Sequence, residues 1–115
     1  MVDLVFPGAE GARQFLVDTG ADLSVAPRYL AEETGLSWAD GTPSTMRGVS
    51  PRTECKVEGR VLDAELFVSP AGWRLMVPVF FAEADVPMLA GRKGFLDRMQ
   101  LTVHGRRRTV RLVLL

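Results

Sequence analysis

Short runs of alternating apolar and polar positions, punctuated every few residues by glycine or proline, fill most of this chain and predict a mainly β domain. Helical spacing is scarce. Val2 to Phe6 and Arg13 to Asp18 read as strands joined across Pro7-Gly8-Ala9-Glu10-Gly11, where glycine and proline supply turn conformations that other residues resist. Leu23 to Ala26 reads as a third strand, followed by a short helix with Pro27 in its first turn and Gly35 at its stop. Asp40-Gly41 marks a turn, and Thr45 to Val49 with Thr53 to Val57 form a hairpin around Ser50-Pro51-Arg52. Leu62, Ala64, Leu66 and Val68 then alternate with Asp63, Glu65 and Phe67, placing one apolar edge inward. Trp73, Leu75, Val77, Val79 and Phe81 repeat the pattern, with Pro78 pushing that strand toward a sheet edge or a bulge. Val86 to Gly91 leads into one or two helical turns over 92–99. Leu101 to Val103, a turn at Gly105, and Thr109 to Leu115 close the chain as strands. There is no internal repeat and no low-complexity linker.

Composition narrows the class. At 115 residues and 47% apolar content, residues 1–115 suit one globular domain with a modest core. Basic and acidic residues balance at 14 each, so no long-range field favours nucleic acid or an anionic membrane. The exception is Arg106-Arg107-Arg108, which reads as a solvated turn and strand edge kept soluble by charge. One cysteine, Cys55, cannot form an internal disulfide, and with one histidine, His104, the chain cannot supply a Cys/His zinc cage. No metal and no cofactor is expected. Met1-Val2-Asp3-Leu4 lacks a basic stretch followed by an apolar core, and the longest apolar run, Leu75 to Ala82, is too short to span a bilayer. A cytoplasmic, reducing location is the expectation.

The chemistry concentrates in Phe15-Leu16-Val17-Asp18-Thr19-Gly20-Ala21-Asp22, where three apolar residues deliver one carboxylate into a turn with almost no side-chain bulk. By itself Asp-Thr-Gly also reads as a turn whose acid hydrogen-bonds its own backbone. The chain adds Met88-Leu89-Ala90-Gly91-Arg92 near its end, before the short helix. With both motifs in this order, it resembles the retropepsin-like aspartic proteases.

The resemblance covers most of the chain and implies an all-β, single-lobe, closed β-barrel with a flap hairpin and one or two short helices, acting as a homodimer. Asp18 would be the catalytic aspartate, and Thr19 and Gly20 would support its loop, Thr19 by reaching across the dimer axis. Gly20, Ala21 and Asp22, with Arg47, Gly48 and Val49 of the flap, would bind substrate. Asp22 would form a partly buried ion pair with Arg92, and breaking a fully buried pair costs about 3–5 kcal/mol. Two departures stand out: Pro51 brings a residue without N–H to a flap tip that is usually richer in glycine, and Ala90 is small where many members carry a larger aliphatic residue.

One carboxylate per chain suits this family because the hydrolysis uses two about a single water. A second copy supplies the other. Carboxyl groups roughly 3 Å apart cannot both ionise cheaply, so such a pair shares one proton and titrates as a unit. The expected partners are a peptide or protein substrate and a second copy of the chain, with no nucleic acid and no membrane. Leu112-Val113-Leu114-Leu115 either interleaves with the partner's termini or closes the barrel within one subunit. The alternative function is a catalytically silent module that keeps the fold for dimerisation or peptide binding. A third reading, nucleic-acid binding through 106–111, has no aromatic platform beside its arginines.

Overall fold

In the computed structural model, which describes residues 1–47, 56–69 and 71–115, the strands are β1 (Val2–Val5), β2 (Ala12–Val17), β3 (Ser24–Pro27), β4 (Thr42–Arg47), β5 (Lys56–Ser69), β6 (Trp73–Ala82), β7 (Leu89–Ala90), β8 (Met99–His104) and β9 (Thr109–Leu114). With 54% strand and 11% helix, the protein is mostly β-sheet. One α-helix, α1 (Arg28–Glu33), follows β3, and 3-10 turns occupy Trp38–Asp40 and Leu96–Arg98. Gly35 ends α1 in the left-handed region at φ 76°, the conformation a helix stop favours and glycine tolerates.

Seven strands form one sheet in the order β1-β2-β7-β3-β6-β5-β4, and β1 also pairs with β5. The β1–β2 hairpin sets Val2 opposite Phe15 and Leu4 opposite Arg13. Its apolar side meets the main core, where Phe6 and Phe15 stack at 5.8 Å between ring centroids. β2 runs parallel to β7, and β3 runs parallel to β6, so the two motif-bearing segments are brought together from opposite ends of the chain.

Sequence periodicity splits the middle of the chain into two strands, but β5 is continuous for 14 residues. The phase of its burial changes along the way: Val57 and Gly59 are buried in the first half, then Leu62, Ala64, Leu66 and Val68 in the second. The first half faces a smaller cluster with Val25, Phe80 and Leu89, and the second half faces the main core. Gly59 sits near this change, and a Cβ there would overlap the carbonyl oxygen of Phe81 and lie 2.9 Å from the ring of Phe80. Two half-buried faces in one strand therefore look like two strands.

Pro78 introduces no bulge. It pairs with Asp63 in an unbroken β5–β6 register, while β3 joins the other side of β6 only from Val79 to Ala82. The proline thus ends the portion of β6 that has β5 alone beside it, consistent with the edge preference of a residue that donates no hydrogen bond. From Val79 to Ala82 every β6 residue is buried, because one cluster covers each face.

The C-terminal strand differs from one sequence expectation. Among the described residues, β9 pairs with β8 in a separate two-stranded sheet and with no strand of the larger one. Among the described residues, no helix is long and apolar enough to cross a membrane.

Candidate functional site

Asp18 follows directly on β2, which is anchored by the fully buried Phe15. The Leu16 N–H donates to the Met88 carbonyl at 2.9 Å and the Asp18 N–H donates to the Ala90 carbonyl at 3.0 Å, so β7 supports the strand up to the acid itself. Beyond it the chain turns tightly: the Ala21 N–H donates to the Asp18 carbonyl at 3.2 Å, and the Gly20 N–H donates to Asp18 Oδ1 at 3.0 Å. The half-buried carboxylate is held by its own loop through one oxygen, and among the described residues the other has no hydrogen-bond partner.

Residues 91–93 lock the loop from beneath. Arg92 N–H donates to the Ala21 carbonyl at 3.0 Å and Lys93 N–H to the Asp22 carbonyl at 2.8 Å. Gly91 N–H donates to Ser24 Oγ at 3.0 Å, in a buried bond. Ser24 is 2% exposed, and no sequence expectation assigned it a role; its signal was a hydroxyl within the otherwise apolar run Leu23 to Ala26. Removing that acceptor strands a buried donor, so Ser24→Ala is expected to cost about 1–3 kcal/mol in urea denaturation. Ser24→Thr, which keeps a hydroxyl, should recover most of the loss.

Asp22 and Arg92 are joined side chain to side chain, yet the pair is open to water, with Asp22 75% and Arg92 55% exposed. In the single chain both side chains are thus more open than the partly buried pair expected from sequence. Exposed ion pairs contribute about 0–1 kcal/mol. Arg92→Met is therefore expected to lower the stability of the isolated chain by less than about 1 kcal/mol, measured by the same denaturation.

Thr19 is exposed, as is Gly20, while Ala21 is half-buried. These loop residues, with Asp18, Asp22 and Arg92, come together in one place. The flap is described only in part. Strand β4 pairs with β5 as far as Arg47 opposite Lys56, which establishes the hairpin's stem. Gly48, Val49 and Pro51, together with the Arg47 side chain, lie outside the described residues.

No protein-family model and no curated protein matches this chain. A cavity of about 590 Å³ touches Val17, but its lining includes none of residues 18–22; it lies between β1, the start of β6 and β9. Among the described residues, no three histidine, cysteine or acidic side chains gather as metal ligands.

Proposed function

We propose that this chain is one subunit of a retropepsin-type aspartic endopeptidase, a homodimer whose site combines Asp18 from each copy. The observation that carries the reading is the double tie of the Asp18 turn: Ala90 accepts the Asp18 N–H, and residues 91–93 bond to Ala21, Asp22 and Ser24 beyond it. Such a loop presents a carboxylate at a fixed place with one oxygen uncommitted among the described residues. The pairing of β1 with both β2 and β5 supports a barrel.

The chemistry follows from two facing carboxyl groups that share one proton. The ionised Asp18 takes a proton from the bridging water as that water attacks the peptide carbonyl, while its protonated mate donates a hydrogen bond to the carbonyl oxygen. The resulting tetrahedral diol collapses with proton transfer to the leaving amine. No covalent enzyme intermediate forms. Thr19, exposed beside the acid, would hydrogen-bond the partner's loop and keep the two carboxyl groups coplanar. Substrate would lie extended under the flap as an added strand, its side chains entering alternate pockets.

Dilution tests this directly. Below the dimer dissociation constant, peptidase activity should rise with the square of protein concentration. After subunit exchange with an equal amount of Asp18→Asn chains, the pool should retain roughly a quarter of its dimers with two acids, as random pairing in a symmetric dimer requires. Activity strictly proportional to wild-type chain at every dilution, and indifferent to the added variant, would exclude a site shared between subunits.

A further inference from the structure

The cavity of about 590 Å³ lies where the larger sheet and the β8–β9 ribbon meet without pairing. One wall is the end of the larger sheet, where Asp3 pairs with Ser69 and Trp73 with Val68. The other is the ribbon, which contributes His104 and the four consecutive β9 residues Thr109 to Leu112. Successive side chains of a strand point to opposite faces, so four in a row line one cavity where the strand's edge, rather than one face, is presented to it. Among the described residues that edge is unpaired, since β9 has β8 on one side and no strand on the other. An unpaired edge offers backbone N–H and C=O groups to an added strand.

The lining combines apolar surface with exposed charge. Val2 and Val68 are buried and Trp73 is half-buried, while Asp3, His104 and Arg111 are exposed. Asp3 and Arg111 stand on the two different walls with opposite charges, yet no ion pair joins them. Among the described residues, neither side chain has a hydrogen-bond partner. These charges select the occupant: an organic anion is opposed by Asp3 and a cation by Arg111, whereas a molecule carrying both signs suits both walls.

We propose that this cavity binds a short peptide of two or three residues with free termini and apolar side chains, its ammonium group at Asp3 and its carboxylate at Arg111. Its main chain lies beside the edge of β9, and a side chain packs against Trp73. Cavities of this size enclose drug-sized ligands. Main-chain pairing along a strand edge supplies affinity, and the apolar wall supplies selectivity. Small zwitterions without peptide groups would leave the edge unpaired, and an internal stretch of a longer protein has no terminal charges to offer. None of residues 18–22 lines the cavity, so the inference does not depend on the proposed peptidase.

Isothermal titration calorimetry of the full chain with the tripeptide Leu-Phe-Leu tests this. Acetylating its amino end or amidating its carboxyl end should each weaken binding about tenfold, the loss expected for one charge-assisted bond. Asp3→Asn should cost the free peptide the same factor and the acetylated peptide little, and Arg111→Gln should show the matching pattern with the amidated peptide. Both positions are exposed, so the circular dichroism spectrum should not change. Asp18→Asn chains should bind Leu-Phe-Leu as the wild type does, which separates this cavity from the proposed cleft. The proposal is overturned if no heat is detected at millimolar peptide, if affinity ignores the end groups and both variants, or if Asp18→Asn abolishes binding. Two other occupants would also overturn it. Naphthalenesulfonate held through Arg111 more tightly than the tripeptide would give the cavity to apolar anions, and a dimer in sedimentation velocity that excludes the tripeptide would give it to a second copy.

Discussion

Asp18→Asn is expected to abolish peptide hydrolysis and leave the fold intact. Asparagine has nearly the shape of aspartate, and its side-chain oxygen can still accept the Gly20 N–H that holds Asp18 Oδ1. The backbone bond from Asp18 to the Ala90 carbonyl does not involve the side chain at all. What disappears is the capacity to take a proton from water and return it, a contribution on the order of 10²–10⁴-fold in rate. Since each proposed site uses the residue twice, the loss should fall at or beyond the upper end of that range. Mass spectrometry of a diverse peptide pool, with wild type and variant compared at matched concentration and matched circular dichroism, reads it. Equal cleavage by both would falsify the mechanism. If the wild type cleaves nothing in such a pool and yet retains peptides, the silent peptide-binding module replaces the enzyme.

Gly91→Ala is expected to be strongly destabilising for so small a substitution. A Cβ at residue 91 would overlap the Leu23 carbonyl, lying 2.5 Å from its carbon and 2.9 Å from the Ser24 nitrogen. Both are backbone groups, so no side-chain rotation relieves the overlap, and the two segments must separate. Separation also stretches the buried bond from Gly91 N–H to Ser24 Oγ and the neighbouring bond from Arg92 N–H to the Ala21 carbonyl. Overpacking alone costs about 1–3 kcal/mol, and with the buried hydrogen bond the loss should reach about 3 kcal/mol or more. Gly105→Ala is the control, since nothing lies within 4 Å of its added methyl; its effect should stay within about 0.5 kcal/mol. Urea midpoints for the two variants check both statements. Comparable midpoints would mean that the close approach of residues 23–24 to Gly91 does not hold the loop.

The contrast with Arg92 shows how tertiary placement redistributes importance within a motif. Gly91 and Arg92 are adjacent in the sequence, and the resemblance drew attention to both. Burial separates them: the glycine lies beneath the loop against backbone, while the arginine pairs with Asp22 in water. Ser24 carries the converse lesson. It belongs to no motif quoted from the sequence, yet its oxygen receives the N–H of the motif glycine.

Much of the strand pattern was readable because each half-buried strand repeats with period two, and glycine or proline breaks the repeat where the chain turns. The β1–β2 hairpin, α1 with its Gly35 stop, and the pairing of the last two strands all have that local origin. The continuity of β5 was not readable, because one strand changes which side faces a core.

The sequence by itself determined a β-rich chain with one carboxylate in a small-residue turn, because periodicity and turn chemistry act over a few residues. Only the tertiary structure brought residues 88–93 beneath that turn, buried Ser24, left the Asp22 and Arg92 pair in water, and set β8 and β9 apart as a separate ribbon. Those outcomes depend on contacts between residues distant in the chain, and the packing that creates them has no signature in any local run of side chains.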